Sequence, residues 1–275
     1  ATGVRGLRML GARNVAYAVP NRAVHGYGLT PALVEELAAL RPELLVTVDH
    51  GIACHAGIAA ARARGWDVLV TDHHLPGETL PNANAIVNPA LPGHDFGSRA
   101  LAGVGVLFYL LLALRKRLRE RGCLPAPEPE LSTLLDLVAV GTIADLVPLD
   151  ACNRALVSAG LRRLRAGQGS AGLNALAQVA GRERATLTAG DIGFGIAPRI
   201  NAAGRLEDMA IGIECLLCDE PVRALELATA LDAINRERRA LQQLATDEAE
   251  TACAGFSDDW DSPPVALCLF DPDWH

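Results

Sequence analysis

Two short apolar runs, Leu44 to Val48 and Val68 to Thr71, are separated by a helical stretch and run into metal-competent side chains: Asp49 after the first, Asp72-His73-His74 after the second. Strand, helix, strand at this spacing is a βαβ unit, which forces a parallel sheet and puts the residues that follow both strands at the same, carboxyl edge. Functional groups of open α/β sheets gather at that end, so Asp49 and the Asp-His-His run are predicted to meet across it.

The same alternation extends on both sides. Val15 to Val19 and Ala85 to Val87 read as further strands. Thr30-Pro31 opens a helix with a capping hydroxyl and a first-turn proline, and a second helix should run from His55 to Arg64 and stop at Gly65. From Leu101 strand signals vanish. Helices are predicted at Ala102 to Glu120, Leu131 to Ile143, Asn153 to Arg165, Ala171 to Val179 and Thr188 to Ile196, with Pro125, Pro127 and Pro129 parting the first two. A long charged helix should follow from Pro221 to about Ala252, and Val265 to Phe270 reads as a new strand. The expected fold class is α/β: a parallel sheet flanked by helices, with an appended helical subdomain and a long linking helix. The expected division is a catalytic domain at 1–218, the linking helix at 219–256 and the start of another domain at 257–275. There is no internal repeat or low-complexity tail.

With 275 residues, half of them hydrophobic, a large core is expected rather than disorder. Leu101 to Leu114 runs straight into Arg115, Lys116 and Arg117, so it reads as a buried helix with a basic end and not a membrane span. The seven cysteines are odd in number and scattered through apolar runs, and Ala1 to Gly11 lacks a signal-peptide pattern. Reduced, mostly buried thiols in a cytoplasmic protein are expected. A formal charge of −7 excludes a generally basic coat for nucleic acid, and although Lys116 is the only lysine, the arginine bias is as well explained by nucleotide composition.

Carboxylate and imidazole together suit Mn²⁺ or Mg²⁺ better than a structural zinc. Two such ions about 4 Å apart can activate water and stabilise a leaving oxygen, which requires a bridging carboxylate, and Asp49 is the choice for it. Asp49 and Asp72 read alone could equally be helix or turn caps. Asp136 and Asp145 lie in an apolar segment where an unpaired charge is costly, so each needs a metal, a cap or an arginine. In Ala197 to Arg205, two arginines and Asn201 stand among small residues: they suit phosphate, or an inter-helix turn with its arginines in solvent. Cys215-x-x-Cys218 lacks a second ligand pair and reads as buried thiols. The basic run from Arg115 to Arg121 reads as a solvated helix end.

The segments VTVDHGI, VLVTDHHLPGETLPNANAIVNP, LAGVGVLFYLLLAL, DLVAVGTIADLVPL and PRINAAGR resemble, in order, the motifs of the DHH phosphoesterases, above all their single-strand-specific exonuclease branch. The resemblance implies a metal-dependent 5′→3′ exonuclease acting on single-stranded DNA in repair and recombination, with a Mn²⁺ or Mg²⁺ centre. It implies Asp49 as the bridge, His73 and His74 at the metals, Asp145 as a further ligand and Asp72 as support for the histidines. Arg199, Asn201 and Arg205 would hold substrate phosphates. The family's Asp-x-Asp motif would precede Ala1 and its Gly-Gly-His lobe would follow His275, so this chain alone is expected to have little activity. His50 stands where asparagine or cysteine is commoner and reads as a neighbour of the ligand; His25, His55 and His94 carry no motif. The competing expectations are a DHH enzyme for short oligonucleotides, cyclic dinucleotides or pyrophosphate, and a non-catalytic nucleic-acid-binding scaffold.

Overall fold

The computed structural model describes residues 1–20, 25–93, 96–206, 209–254, 265–272 and 274, with Arg205 and Leu206 described in the backbone only. Three strands, β1 (Leu44–Val48), β2 (Asp67–Thr71) and β3 (Ala85–Val87), form a parallel sheet in the order β1-β2-β3. The register pairs Val48 with Thr71 and Thr71 with Val87, so the strands finish level and their following residues share one rim. Helices α2 (Pro31–Leu37) and α3 (His55–Ala63) belong to this half. Thr30 caps α2 as its sequence foretold, its hydroxyl accepting from Leu33 N at 3.3 Å. Val34, Ile58, Val68 and Val70 are fully buried in the small core between sheet and helices.

The larger core is helical. It is built from α4 (Gly103–Glu120), α5 (Leu135–Ala144), α6 (Ala151–Arg165), α7 (Ala171–Val179), α8 (Ala197–Leu206), α9 (Ala210–Leu217) and α10 (Pro221–Ala254). Leu111, Leu173, Ile196 and Leu231 are almost wholly buried. Each such side chain contributes about 1.5–3 kcal/mol relative to exposure. The first half of α10 packs on α7, α8 and α9 through Ala224, Leu227, Ala228 and Leu231. Beyond Asn235 most of its residues face solvent, and i,i+4 pairs such as Arg238 with Gln242 replace packing.

α4 has the foreseen buried face, with Val106, Leu107, Phe108 and Leu111 inside, and three of the five cations at its basic end pair locally. Arg115 and Arg119 pair with Glu128, and Arg117 with Glu120. No helix among the described residues is long and apolar enough to cross a membrane.

The structure departs from expectation in identifiable places. Val15 to Val19 is not a strand: it joins no ladder among the described residues, and Tyr17 and Val19 are exposed. Val265 to Phe270 is also irregular, with Val265 and Phe270 in solvent. β-branched residues alone do not make a strand without a partner ladder. Residues 2–9 form an unforeseen helix, α1 (Thr2–Met9), hidden in the sequence by Gly3 and Gly6. Those glycines let it press onto α4, since a Cβ on Gly6 would stand 2.4 Å from Leu111 Cδ1. Ala197 to Leu206 is helix rather than turn, and Thr188 to Ile196 splits into a short capped helix and a π-helical turn at Ile192–Ile196. Of the seven thiols, which form no disulfide, Cys215 is the buried one; Cys123 and Cys268 are exposed. Burial pushes the Cys215 thiol up to about 11. His94 lies outside the described residues.

Candidate metal centre

The level ends of β1 and β2 bring the two sequence motifs together. Asp49 N continues the ladder by donating to Thr71 O at 2.9 Å, and Asp49 then takes a φ of 66°, which turns the chain sharply off the strand. An aspartate tolerates this left-handed region better than most residues. Gly51 completes the reversal so close to the sheet that a Cβ there would meet Thr47 Oγ1 at 2.4 Å.

Asp72 is wholly buried and joins the two strand ends. Its Oδ2 accepts from Ile52 N at 2.9 Å, and its Oδ1 accepts from His73 N at 2.8 Å, His74 N at 3.2 Å and His74 Nδ1 at 2.7 Å. Burial alone would raise this carboxyl; the four donors outweigh it and hold Asp72 below the ordinary carboxylate range. Because the ionised carboxylate can only accept, His74 Nδ1 is its donor, which leaves His74 Nε2 with a lone pair for a ligand.

His73 Nε2 lies 2.9 Å from Asp49 Oδ1 and 3.3 Å from Asp145 Oδ2. Asp49 Oδ1 and His73 Nε2 are buried, and neither has an aligned hydrogen-bond partner among the described residues. They are near enough for charge to matter and too poorly aligned for a hydrogen bond. The Asp49 carboxylate raises the His73 pKa against the effect of burial, with Asp145 adding to the rise. Asp145 is raised in turn by burial and by Asp49. The carboxylates of Asp49 and Asp145 thus face one imidazole nitrogen, a surrounding that suits a cation.

One ligand atom each from Asp49, His73 and His74 lies within 4.8 Å of the others. Two buried ligand-type atoms without an aligned hydrogen bond, converging with the Nε2 of His74, fit a divalent cation held by oxygen and nitrogen. Asp145 is delivered by the end of α5, where the chain reverses at Leu146 with a φ of 59°. Gly103, at the first turn of α4, backs Asp49: a Cβ there would stand 2.4 Å from Asp49 Oδ1 and 2.6 Å from its Cβ.

The other candidates sort by contact. Asp136 is a structural carboxylate, accepting from Ser170 N at 2.6 Å and Leu137 N at 2.7 Å. His50 turns its Nδ1 back to Val48 O at 3.0 Å and lies outside the converging ligand atoms. Arg199 points neither to solvent nor to open space: its guanidinium bonds Asp232 of α10 at 2.7 and 2.8 Å and Gly195 O at 2.6 Å. Asn201, on the same helix, is exposed, and the Arg205 side chain lies outside the described residues.

A family profile described as "DHH family, N-terminal domain" matches residues 1–142, more than half of the chain and the whole stretch that carries Asp49, Asp72, His73 and His74. The chain belongs to the DHH family. Within it, the single-stranded-DNA-specific exonuclease RecJ of Dickeya dadantii is 52% identical over 100% of this chain and 48% of its own length. The Escherichia coli protein of the same name is 49% identical over 100% of this chain and 48% of its own. This DHH chain thus spans about half the length of the curated relatives it matches. A crystal structure of exonuclease RecJ bound to manganese aligns with a TM-score of 0.78 at 40% identity, covering 90% of this chain and 61% of that one. The DHH fold expected from the sequence, sheet, helical subdomain and long helix, is the one observed.

Sequence reasoning missed the parts that hold the ligands in place. Gly103 had a visible signal, a glycine at the head of an apolar helix. The donor Ile52 N and the side chain of Asn153 had none, because Ile52 N meets the Asp72 carboxylate 20 residues on and Asn153 reaches the Ala100 carbonyl 53 residues back, pairings that no local pattern reveals.

Proposed function

We propose that this chain forms the metal-bearing half of a single-strand-specific DNA exonuclease that removes nucleotides from the 5′ end during repair and recombination in the cytoplasm. The observation that carries the reading is the convergence of Asp49 Oδ1 and His73 Nε2, two buried atoms 2.9 Å apart with no aligned hydrogen-bond partner, beside the free Nε2 of His74. Asp49, His73 and His74 would hold Mn²⁺ or Mg²⁺ with Asp145 as a further ligand, and Asp49 is the bridge if two ions bind. When bound, such an ion supplies a water acidic enough to attack phosphorus and a positive charge for the leaving oxygen.

The chain's own residues do the rest. Asp72 fixes the tautomer and direction of His74, and Gly103 lets Asp49 sit against the head of α4. Asn201 and Arg205 hold substrate phosphates from α8, and Arg199, engaged by Asp232, fixes the helix that carries them rather than touching the strand directly. Single-stranded DNA is the partner. Residues 1–218 are the catalytic domain, 219–256 the linking helix, and 257–275 the start of the next domain.

The test is release of nucleotides from 5′-labelled and 3′-labelled single-stranded DNA with Mn²⁺. It compares the 275-residue chain with one extended to the length of its relatives, each beside its Asp49→Ala variant. Degradation from the 5′ end that disappears with Asp49→Ala supports the reading. DNA binding without any cleavage by the extended chain overturns it in favour of a scaffold.

A further inference from the structure

Asn153 stands in the first turn of α6 with no solvent exposure, and its side-chain bonds go to none of the metal-centre residues. Its side-chain amide nitrogen donates to two backbone carbonyls, Ala100 O at 2.6 Å and Pro148 O at 2.8 Å. Ala100 lies three residues before Gly103, whose bare Cα backs Asp49. Pro148 lies three residues after Asp145. One buried amide therefore ties the loop that supports the bridging carboxylate to the loop that follows the further ligand.

The tie is built on both sides. Asp150 accepts from Asn153 N at 2.9 Å through Oδ1 and from Ser98 Oγ at 2.6 Å through Oδ2, so the loop before α4 is fastened to the head of α6 twice. Ser98 is itself buried, at 3% exposure. The Asn153 carbonyl oxygen is buried without a donor among the described residues, an unfavourable state that an apolar side chain would avoid. An amide kept there despite that cost is kept for its two donor bonds, because no apolar side chain could satisfy both carbonyls.

We propose that Asn153 is a positioning residue for the metal centre, setting the separation of Asp49 and Asp145 through the Ala100 and Pro148 carbonyls, with Ser98 and Asp150 as the second fastening. The inference rests on the metal-centre reading above. It reaches beyond that reading by assigning control of ligand geometry to a side chain that touches neither metal nor substrate.

Asn153→Asp is the sharp variant. It keeps the shape of the side chain but turns an oxygen toward two carbonyls, replacing both bonds by repulsion. Ser98→Ala removes only the outer fastening and serves if Asn153→Asp fails to fold. Val157→Ala, one turn further along α6 and 5% exposed, is the control that costs packing without touching the tie.

Mn²⁺ is titrated into each folded protein, and bound metal is followed by loss of the free-ion electron paramagnetic resonance signal and by the line shape of the bound species. The expected result is Mn²⁺ affinity about 10-fold weaker or more for Asn153→Asp, a smaller weakening for Ser98→Ala, an altered line shape in both, and wild-type values for Val157→Ala. Unchanged affinity and line shape in Asn153→Asp, or in Ser98→Ala should the first not fold, overturn the inference, as does an equal loss in Val157→Ala. Failure of the wild-type chain to bind Mn²⁺ overturns the metal-centre reading itself and this inference with it.

Discussion

The carboxylate of Asp49 lies directly against the Cα of Gly103, in space that any other side chain would fill. The contact joins the turn after β1 to the first turn of α4, so the sheet half and the helical half of the molecule meet at Asp49. A negative group at a helix N-terminus is favourable in its own right.

Gly103→Ala therefore separates stability from function. In a helix alanine is favoured over glycine by up to about 1 kcal/mol. The new methyl would nevertheless stand 2.4 Å from Asp49 Oδ1 and 2.6 Å from its Cβ, so Asp49 must move. The expected outcome is near-wild-type urea stability with Mn²⁺ affinity reduced about 10-fold or more, read by titration of the metal.

Asp72 governs acid stability at the same rim. Its folded pKa lies below the ordinary 3.8, so its contribution is fully present above that value and is lost as pH falls through the folded pKa. Asp72→Asn turns an amide against donors that need an acceptor, and should cost about 2–4 kcal/mol at neutral pH. Urea denaturation from pH 7 down to pH 3 checks both points: the difference between wild type and variant should shrink at the acid end. A constant difference across the range would mean the carboxylate charge is not what the donors recognise.

How much of this was legible in the sequence depends on how local the cause is. Asp49 and Asp72-His73-His74 could be placed at one rim because strand, helix, strand fixes where strand ends lie. Periodicity could not tell Asp136 from Asp145, since it says only that both lie in an apolar segment, and only the family resemblance singled out Asp145. What separates them is a partner 34 residues away, Ser170, which takes up Asp136. The pairing of Arg199 was hidden for the same reason, its partner Asp232 being on a helix whose docking no local pattern reveals. Val15 to Val19 has the composition of a strand, but pairing is a tertiary property and it joins no ladder among the described residues.

The Arg199–Asp232 pair predicts a local effect. Removing one partner of a buried ion pair commonly costs about 3–5 kcal/mol, but Asp232 also holds the exposed Arg236 at 2.6 Å, so Arg199→Ala leaves it partly compensated. A loss of about 1–3 kcal/mol is expected. Amide hydrogen exchange should rise first in Ala197–Leu206, where α8 loses its tether to α10. Uniform acceleration across the chain would instead indicate a general loss of stability.

Metal binding should itself stabilise the fold, because the converging ligand atoms of Asp49, His73 and His74 exist only when β1 and β2 are assembled. At a hundredfold excess over the dissociation constant, an ion that binds only the folded chain contributes about 2.7 kcal/mol. For a protein of this size that is a rise of roughly 5–10 °C in melting temperature. Mn²⁺ should produce the rise in wild type and EDTA should reverse it, while Asp49→Asn and His73→Ala should lose most of it. His50→Ala should keep it, since the His50 ring is turned to Val48 O and stands outside the converging atoms. A full shift in Asp49→Asn would place the stabilising ion elsewhere, and loss of the shift in His50→Ala would bring that imidazole into the centre.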